Sequence, residues 1–264
     1  MACWKKEAKK LKVTTLGGVS MKAIILAGED RGEQVGFRQS KAALPMKGLA
    51  MIQYVINALR NSGCVDTLMA VGNLKELRPI IFNEVDLLIQ QQSSMMDNLL
   101  EALNHVKEEE PVLITTCDIP LIHREVVKNF IEAALRMEAD VCYPIVEKKN
   151  CTKHYPDIKR TYVNLKDGQF TGGNMILLSP AAIYKIEAPA RWMIKHRKNP
   201  IKMSQALGLK FILGALFQRL TISSLEGYIE ERFAIKAKAV ICQDPEIASD
   251  IDDIKDIQRL EKYL

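Results

Sequence analysis

The sequence predicts an α/β protein built on a mostly parallel, doubly wound sheet, with a β-hairpin and a helical insertion in its second half. Three observations predict it. The run Lys22-Ala-Ile-Ile-Leu-Ala-Gly28 is apolar without alternation, as a central strand buried on both faces must be. Further apolar runs end at Gly72, Gln90, Asp118 and Glu147, and most are separated by stretches of helical periodicity. After residue 150 that rhythm gives way to an alternating segment and then to helix.

In order, strands are expected at 22–27, 66–71, 86–90, 112–117 and 140–146. Ile52, Val55, Ile56 and Leu59, and later Val126, Phe130, Ile131 and Ala134, recur at the spacing of one helix face and read as core. From Arg160 to Leu178 the chain alternates around Asp167-Gly168, a pair that accepts the positive φ angles of a tight hairpin turn. Residues 179–233 read as a helical insertion punctuated by Pro189, Pro200, Gly208 and Gly214, with Ser223 and Glu226 spaced as a capping box. A last strand is expected over Ala234–Cys242. A closing helix follows, with Ile254, Ile257, Leu260 and Leu264 on its apolar face.

The chain of 264 residues, 48% hydrophobic, suffices for one sizeable core. Residues 1–20, rich in lysine, read as an extension, and the domain as 21–264. A net charge of +5 without a basic stripe argues against nucleic acid and for small anionic ligands. Six cysteines show neither zinc nor redox spacing, which suits free thiols in the cytoplasm. Between Leu207 and Ile222 the chain is strongly apolar, yet Lys210, Gln218 and Arg219 interrupt it; a packed helix, without stable membrane insertion, is expected. A homodimer is left open.

The chemistry gathers at expected strand ends. After the first strand come Gly28, Gly32 and Gly36 with Arg31, Arg38 and Lys41, backbone amides and cations suited to a nucleoside triphosphate. Asp118 ends the strand Val112–Cys117, where ligands bind in open α/β sheets; on spacing alone it serves equally well as the cap of a helix beginning near Ile122. Asp250, Asp252 and Asp253 precede the last helix, and three acids in four residues exceed what a cap needs. Asp118 with Asp252 would meet the needs of magnesium, which takes few protein oxygens and keeps waters or phosphates. The bases Arg191, Lys195, His196, Arg197 and Lys198 read as a solvated helix face in preference to an acceptor-phosphate site. The first loop lacks both Gly-x-Gly-x-x-Gly and Gly-Lys-Ser/Thr, which disfavours a nicotinamide oxidoreductase and a P-loop NTPase.

Ala23-Ile-Ile-Leu-Ala-Gly28, Ser40-Lys-Ala-Ala-Leu-Pro-Met-Lys-Gly48, Thr116-Cys-Asp-Ile-Pro-Leu121 and Asp250-Ile-Asp-Asp-Ile-Lys-Asp256 together resemble the molybdenum cofactor guanylyltransferase-like (MobA-like) NTP transferases. The segment Arg160 to Asn174 resembles an uncharacterised bacterial subgroup of them. The resemblance implies a Rossmann-like fold of the nucleotide-diphospho-sugar transferase type. It implies Mg2+-dependent transfer of a nucleoside monophosphate from an NTP to a phosphorylated or other small acceptor, with release of pyrophosphate. It assigns catalysis to Lys41, Arg38 and Arg31, and nucleotide binding to Leu26, Ala27, Gly28, Lys41, Asn98 and Asp118. The acceptor falls to Arg160, Gly173 and Asn174, and the metal to Asp118 and Asp252. Glu29 stands where the family usually has a second glycine, and Gly48-Leu49-Ala50 where it has Gly-Lys-Pro. Those departures keep open an alternative, a weak or inactive nucleotide-binding sensor or scaffold.

Overall fold

β1 (Met21–Ala27) is apolar along its length because both of its faces are covered: Ala23, Ile25 and Ala27 enter one hydrophobic cluster and Ile24 another. The computed structural model describes residues 21–28, 40–107, 110–196 and 220–264. The extension 1–20, the loop carrying Arg31 and Arg38, residues Arg197 and Lys198, and the apolar stretch as far as Arg219 lie outside them.

The central sheet has nine strands among the described residues. β1 pairs in parallel with β4 (Val65–Gly72) and β6 (Val112–Thr116), and β4 with β5 (Leu87–Gln90). β7 (Val141–Glu147) and β11 (Ala237–Cys242) also pair in parallel. The strands that run against the rest are β9 (Gly168–Gly172) and β10 (Met175–Leu178). β10 lies between β6 and β7, pairing with the first part of β7 while β9 pairs with its last part. The two-residue step Gly173-Asn174 therefore crosses the sheet edge where β6 ends. β8 (Val163–Leu165) completes the hairpin with β9. Its loop is Lys166-Asp167, one residue earlier than expected, because Gly168 alone takes the positive φ (+143°) and already pairs with Leu165. β2 (Pro45–Met46) and β3 (Leu49–Ala50) form a separate short ribbon.

Helices α1 (Met51–Asn61), α2 (Leu74–Ile81) and α4 (Arg124–Arg136) cover one face of the sheet; α3 (Met95–Leu103) and α6 (Pro180–His196) cover the other. The apolar positions read as core are buried: Ile52, Val55, Ile56 and Leu59 on α1, and Val126, Phe130, Ile131 and Ala134 on α4. Each such side chain withdrawn from water contributes roughly 1.5–3 kcal/mol. α5 (Lys148–His154) follows β7 directly. α7 (Ile222–Phe233) starts earlier than the expected capping box, because Thr221 and Ser224 cap it reciprocally. Glu226 is used elsewhere, accepting from Ala239 N and pairing with Lys238 on β11. In α8 (Ile254–Glu261) Leu260 is buried, while Ile254, expected on the apolar face, is exposed. Its place is taken by Ile251, which packs with Met46, Met51, Leu121, Ile158 and Leu260 in a third cluster.

The step at Gly173 leaves no room for a side chain, since a Cβ there would lie 2.9 Å from Ile247 O and 3.0 Å from Pro144 Cγ. Gly173→Ala should destabilise by about 1–3 kcal/mol, as overpacking does. Gly227→Ala, in α7 with nothing near its Cβ, should instead stabilise by up to about 1 kcal/mol through helix propensity. Thermal melts of the two variants that shift in the same direction would refute this account of the crossing step.

Candidate active site

The carboxyl ends of β1 and β6 lie side by side, since Leu26 pairs with Thr116. β1 delivers Gly28, whose added Cβ would sit 2.3 Å from Asn98 Nδ2, so only glycine lets the chain pass this close to α3. Asn98 is buried, and its Oδ1 accepts from Gln92 N at 2.5 Å, which fixes the loop after β5 beside Gly28. Leu26 and Ala27 turn their side chains into the two apolar clusters, so what they offer a ligand is backbone.

Lys41 stands on a 3-10 turn, Lys41–Ala43, whose entry is fixed by Ser40 N donating to Glu76 Oε2 at 2.8 Å. Its Nζ lies 3.5 Å from Asp118 Oδ2 and donates to Ile251 O at 2.7 Å. Ile251 N in turn donates to Asp118 O at 3.0 Å, closing a ring through three distant parts of the chain. Asp118 caps no helix: α4 begins at Arg124 after His123, and no side chain caps it. Asp118 Oδ1 is buried without a hydrogen-bond partner, as are Ser40 Oγ and Arg160 Nη1.

The acidic group before α8 divides its work. Asp253 caps the helix through Lys255 N and Asp256 N, and Asp256 accepts from the backbone amides of Asp252 and Asp253. Asp252 is exposed, whereas Asp250, singled out for no role in the sequence, is largely enclosed beside Asp118 and Asp252. Burial first, then the charges of Asp118 and Asp252, push the Asp250 carboxyl up to about 6, against the opposing pull of Lys41. The sequence signal for Asp250 was the triplet of acids, but which acid faces inward depends on Ile251 entering the core. Among the described residues no three His, Cys, Asp or Glu side chains gather closely enough to enclose a metal ion. Asp118, with an unpartnered oxygen, and Asp252 are hard donors of the type magnesium takes in ones and twos.

On the far side of Asp118, Asn174 O accepts from Thr116 N at 3.1 Å, Asn174 Nδ2 donates to Thr116 Oγ1, and Asn174 N donates to Ile247 O at 2.8 Å. Gly173 N donates to Pro144 O. Arg160 Nε donates to Ala248 O at 2.9 Å and its Nη2 to Ser249 Oγ at 2.5 Å. Arg191 is paired with Asp97 and Glu187 beside a cavity of about 390 Å3 between α3 and α6, away from Lys41.

A buried acid whose folded-state pKa is raised retains its proton more strongly in the native state, so stability falls as pH climbs from the ordinary carboxylate range to about 6 and stays lowered above it. Asp250→Asn should remove that loss, raising stability at pH 7–8 by about 3 kcal/mol and leaving it unchanged at about pH 2.5. Denaturant melts at four pH values check this; an equal effect of the substitution at every pH would contradict it.

The MobA-like NTP transferase domain matches residues 23–207 of this chain. A hypothetical transferase from Thermus thermophilus is 32% identical, with a TM-score of 0.78 over 90% of this chain and 99% of the other. The 4-diphosphocytidyl-2C-methyl-D-erythritol synthase of Anaerococcus prevotii shares the fold at 13% identity, with a TM-score of 0.58 over 94% of this chain and 99% of its own. The bifunctional protein GlmU of Francisella philomiragia is 24% identical over 115 residues, 42% of this chain, which spans only 25% of GlmU. With a Rossmann-like sheet and a family domain matched over most of its length, the chain belongs to the MobA-like NTP transferase family.

Proposed function

We propose that the protein is a nucleotidyltransferase that moves a nucleoside monophosphate from an NTP to a small acceptor and releases pyrophosphate. The observation that carries this reading is the Lys41 ammonium held between Asp118 Oδ2 and Ile251 O at the carboxyl edge of the sheet, where β1 and β6 end side by side. An ammonium has three donors. Among the described residues two are spent on the protein, and the third is available to a phosphate oxygen.

In the proposed reaction an acceptor oxygen attacks the α-phosphorus, a new P–O bond forms, and the α–β anhydride bond breaks with its electron pair leaving on pyrophosphate. The acceptor's proton passes to solvent or to a carboxylate of the site. Such a step needs alignment and neutralisation more than covalent help. Lys41 neutralises phosphate charge, the backbone of Leu26 to Gly28 and the buried Asn98 shape the nucleotide side, and Gly173-Asn174 borders the acceptor side. Arg31 and Arg38 belong to the proposed phosphate loop. Asp118 and Asp252 would hold magnesium, which when bound offsets phosphate charge and makes the α-phosphorus more electrophilic.

Lys41→Ala and Asp118→Ala should each lower turnover by about 100-fold to 1000-fold, the usual cost of one lost electrostatic contact. Pyrophosphate release is measured with the four ribonucleotides against sugar phosphates, polyol phosphates and pterins, with melting curves to confirm folding. A folded Lys41→Ala variant that releases pyrophosphate at the wild-type rate removes the proposal.

A further inference from the structure

The turn that follows β11, Pro245–Ala248, and the residues after it bring two acids and a carbonyl to the site: Asp250, Ile251 O and Asp252. Charge works against this arrangement. Asp118 and Asp252 both lie within electrostatic reach of Asp250, and among the described residues Lys41 is a cation that acts on Asp250 and pairs with Asp118. Like charges at close range push their carriers apart, so the segment must be tied by something other than carboxylate pairing. Its internal bond, Ser249 Oγ to Pro245 O at 2.7 Å, shapes the turn without fixing its distance from the sheet.

Alongside Asn174 N, which donates to Ile247 O at 2.8 Å, Arg160 makes a further long-range tie to the turn. Its guanidinium reaches across 88 and 89 residues of sequence to Ala248 O and Ser249 Oγ. Ser249 is fully buried, and the Nε and Nη2 donors of Arg160 are both spent on the turn, on Ala248 O and Ser249 Oγ. The approach is set from behind by Tyr155, whose ring centroid lies 5.9 Å from the guanidinium carbon. The Tyr155 hydroxyl donates to Glu246 on the same turn at 2.5 Å, and its ring meets Tyr263 edge-on at 4.8 Å. A planar fork that bonds a carbonyl and a hydroxyl at once fixes a distance and an angle, which a lysine point charge does not.

We propose that Arg160 is a positioning residue: by clamping Ala248 and Ser249 it holds Asp250, Ile251 and Asp252 against Lys41 and Asp118, and it does so without touching the acceptor. The clamp itself is independent of the reaction; only the second measurement below rests on the nucleotidyl-transfer reading.

The first measurement is amide hydrogen exchange by NMR on Arg160→Gln, or on Ser249→Ala, which deletes the Nη2 partner, should the former fold poorly. The Ile251 amide, bonded to Asp118 O, should exchange at least about tenfold faster while Ile24 and Ile25 of β1 keep their protection. Unchanged exchange at Ile251 overturns the proposal. The second is Mn2+ affinity with no acceptor present. Arg160→Gln should weaken it about 10-fold to 100-fold, as loss of a residue supporting metal ligands does. Arg160→Lys should restore only part of it. Full affinity in Arg160→Gln would assign Arg160 to the acceptor, and full rescue by lysine would assign its effect to charge; either outcome overturns the clamp. If the wild-type protein binds no Mn2+, the nucleotidyl-transfer reading is what fails, and exchange at Ile251 still decides the role of Arg160.

Discussion

One ammonium group joins three pieces of this chain that meet nowhere else in the sequence. Lys41 follows the first loop, Asp118 ends β6, and Ile251 precedes the last helix; the Nζ contacts at 3.5 and 2.7 Å bring them to one point. That cation offsets the repulsion that the Asp118 carboxylate exerts on Asp250. The ring is closed by backbone as well, through Ile251 N to Asp118 O, so its geometry does not depend on a flexible side chain alone. An ion pair with side-chain exposures of 27% and 17% would on its own contribute little to stability. Its consequence is to keep a charged centre in place at the sheet edge.

The sheet makes room for this centre by breaking its own rule. β10 runs against β6 and β7, and the bend that lets β9 and β10 share β7 is the Gly173-Asn174 step. Glycine at 173 admits Ile247 O to within 2.9 Å of where a Cβ would be, so the same step that redirects the strand also receives the turn carrying the acids. Topology and electrostatics are thus coupled at one residue.

Much of the fold was legible because buried parallel strands announce themselves. β1, β4, β6 and β7 fall within a residue or so of the apolar runs, and α1 and α4 bury the positions their periodicity marks. What the sequence hid are features decided by tertiary contact. Spacing left Asp118 equally suited to capping, and only the position of Lys41 shows where its carboxylate goes. Ser223 and Glu226 have capping-box spacing, yet Thr221 caps the helix and Glu226 is claimed by β11, because a strand edge with a free amide competes for the same carboxylate. Among the acids at 250–253 the pattern shows that there are too many for a cap. It does not show that Asp253 caps, that Asp252 faces solvent and that Asp250 is enclosed. The Asp250 shift follows first from burial and then from the charges of Asp118, distant in sequence, and of the nearby Asp252.

The residue between two acids explains why that enclosure is tolerated. Ile251 is fully buried among Met46, Met51, Leu121 and Leu260, and withdrawing such a side chain from water contributes about 1.5–3 kcal/mol. Carrying a charged Asp250 next to it costs about 3 kcal/mol, from a carboxyl raised to about 6. The two are comparable, so burial of Ile251 offsets much of that cost, and the hydrogen bonds to Lys41 and Asp118 add to it. A polar residue at 251 would remove that offset and leave the charge cost of the segment opposed by hydrogen bonds alone. The acidic centre is therefore held by a hydrophobic side chain from below and by hydrogen bonds from Lys41 and Arg160 at its two ends. The acids are thus seated by side chains of other kinds, one apolar and two cationic.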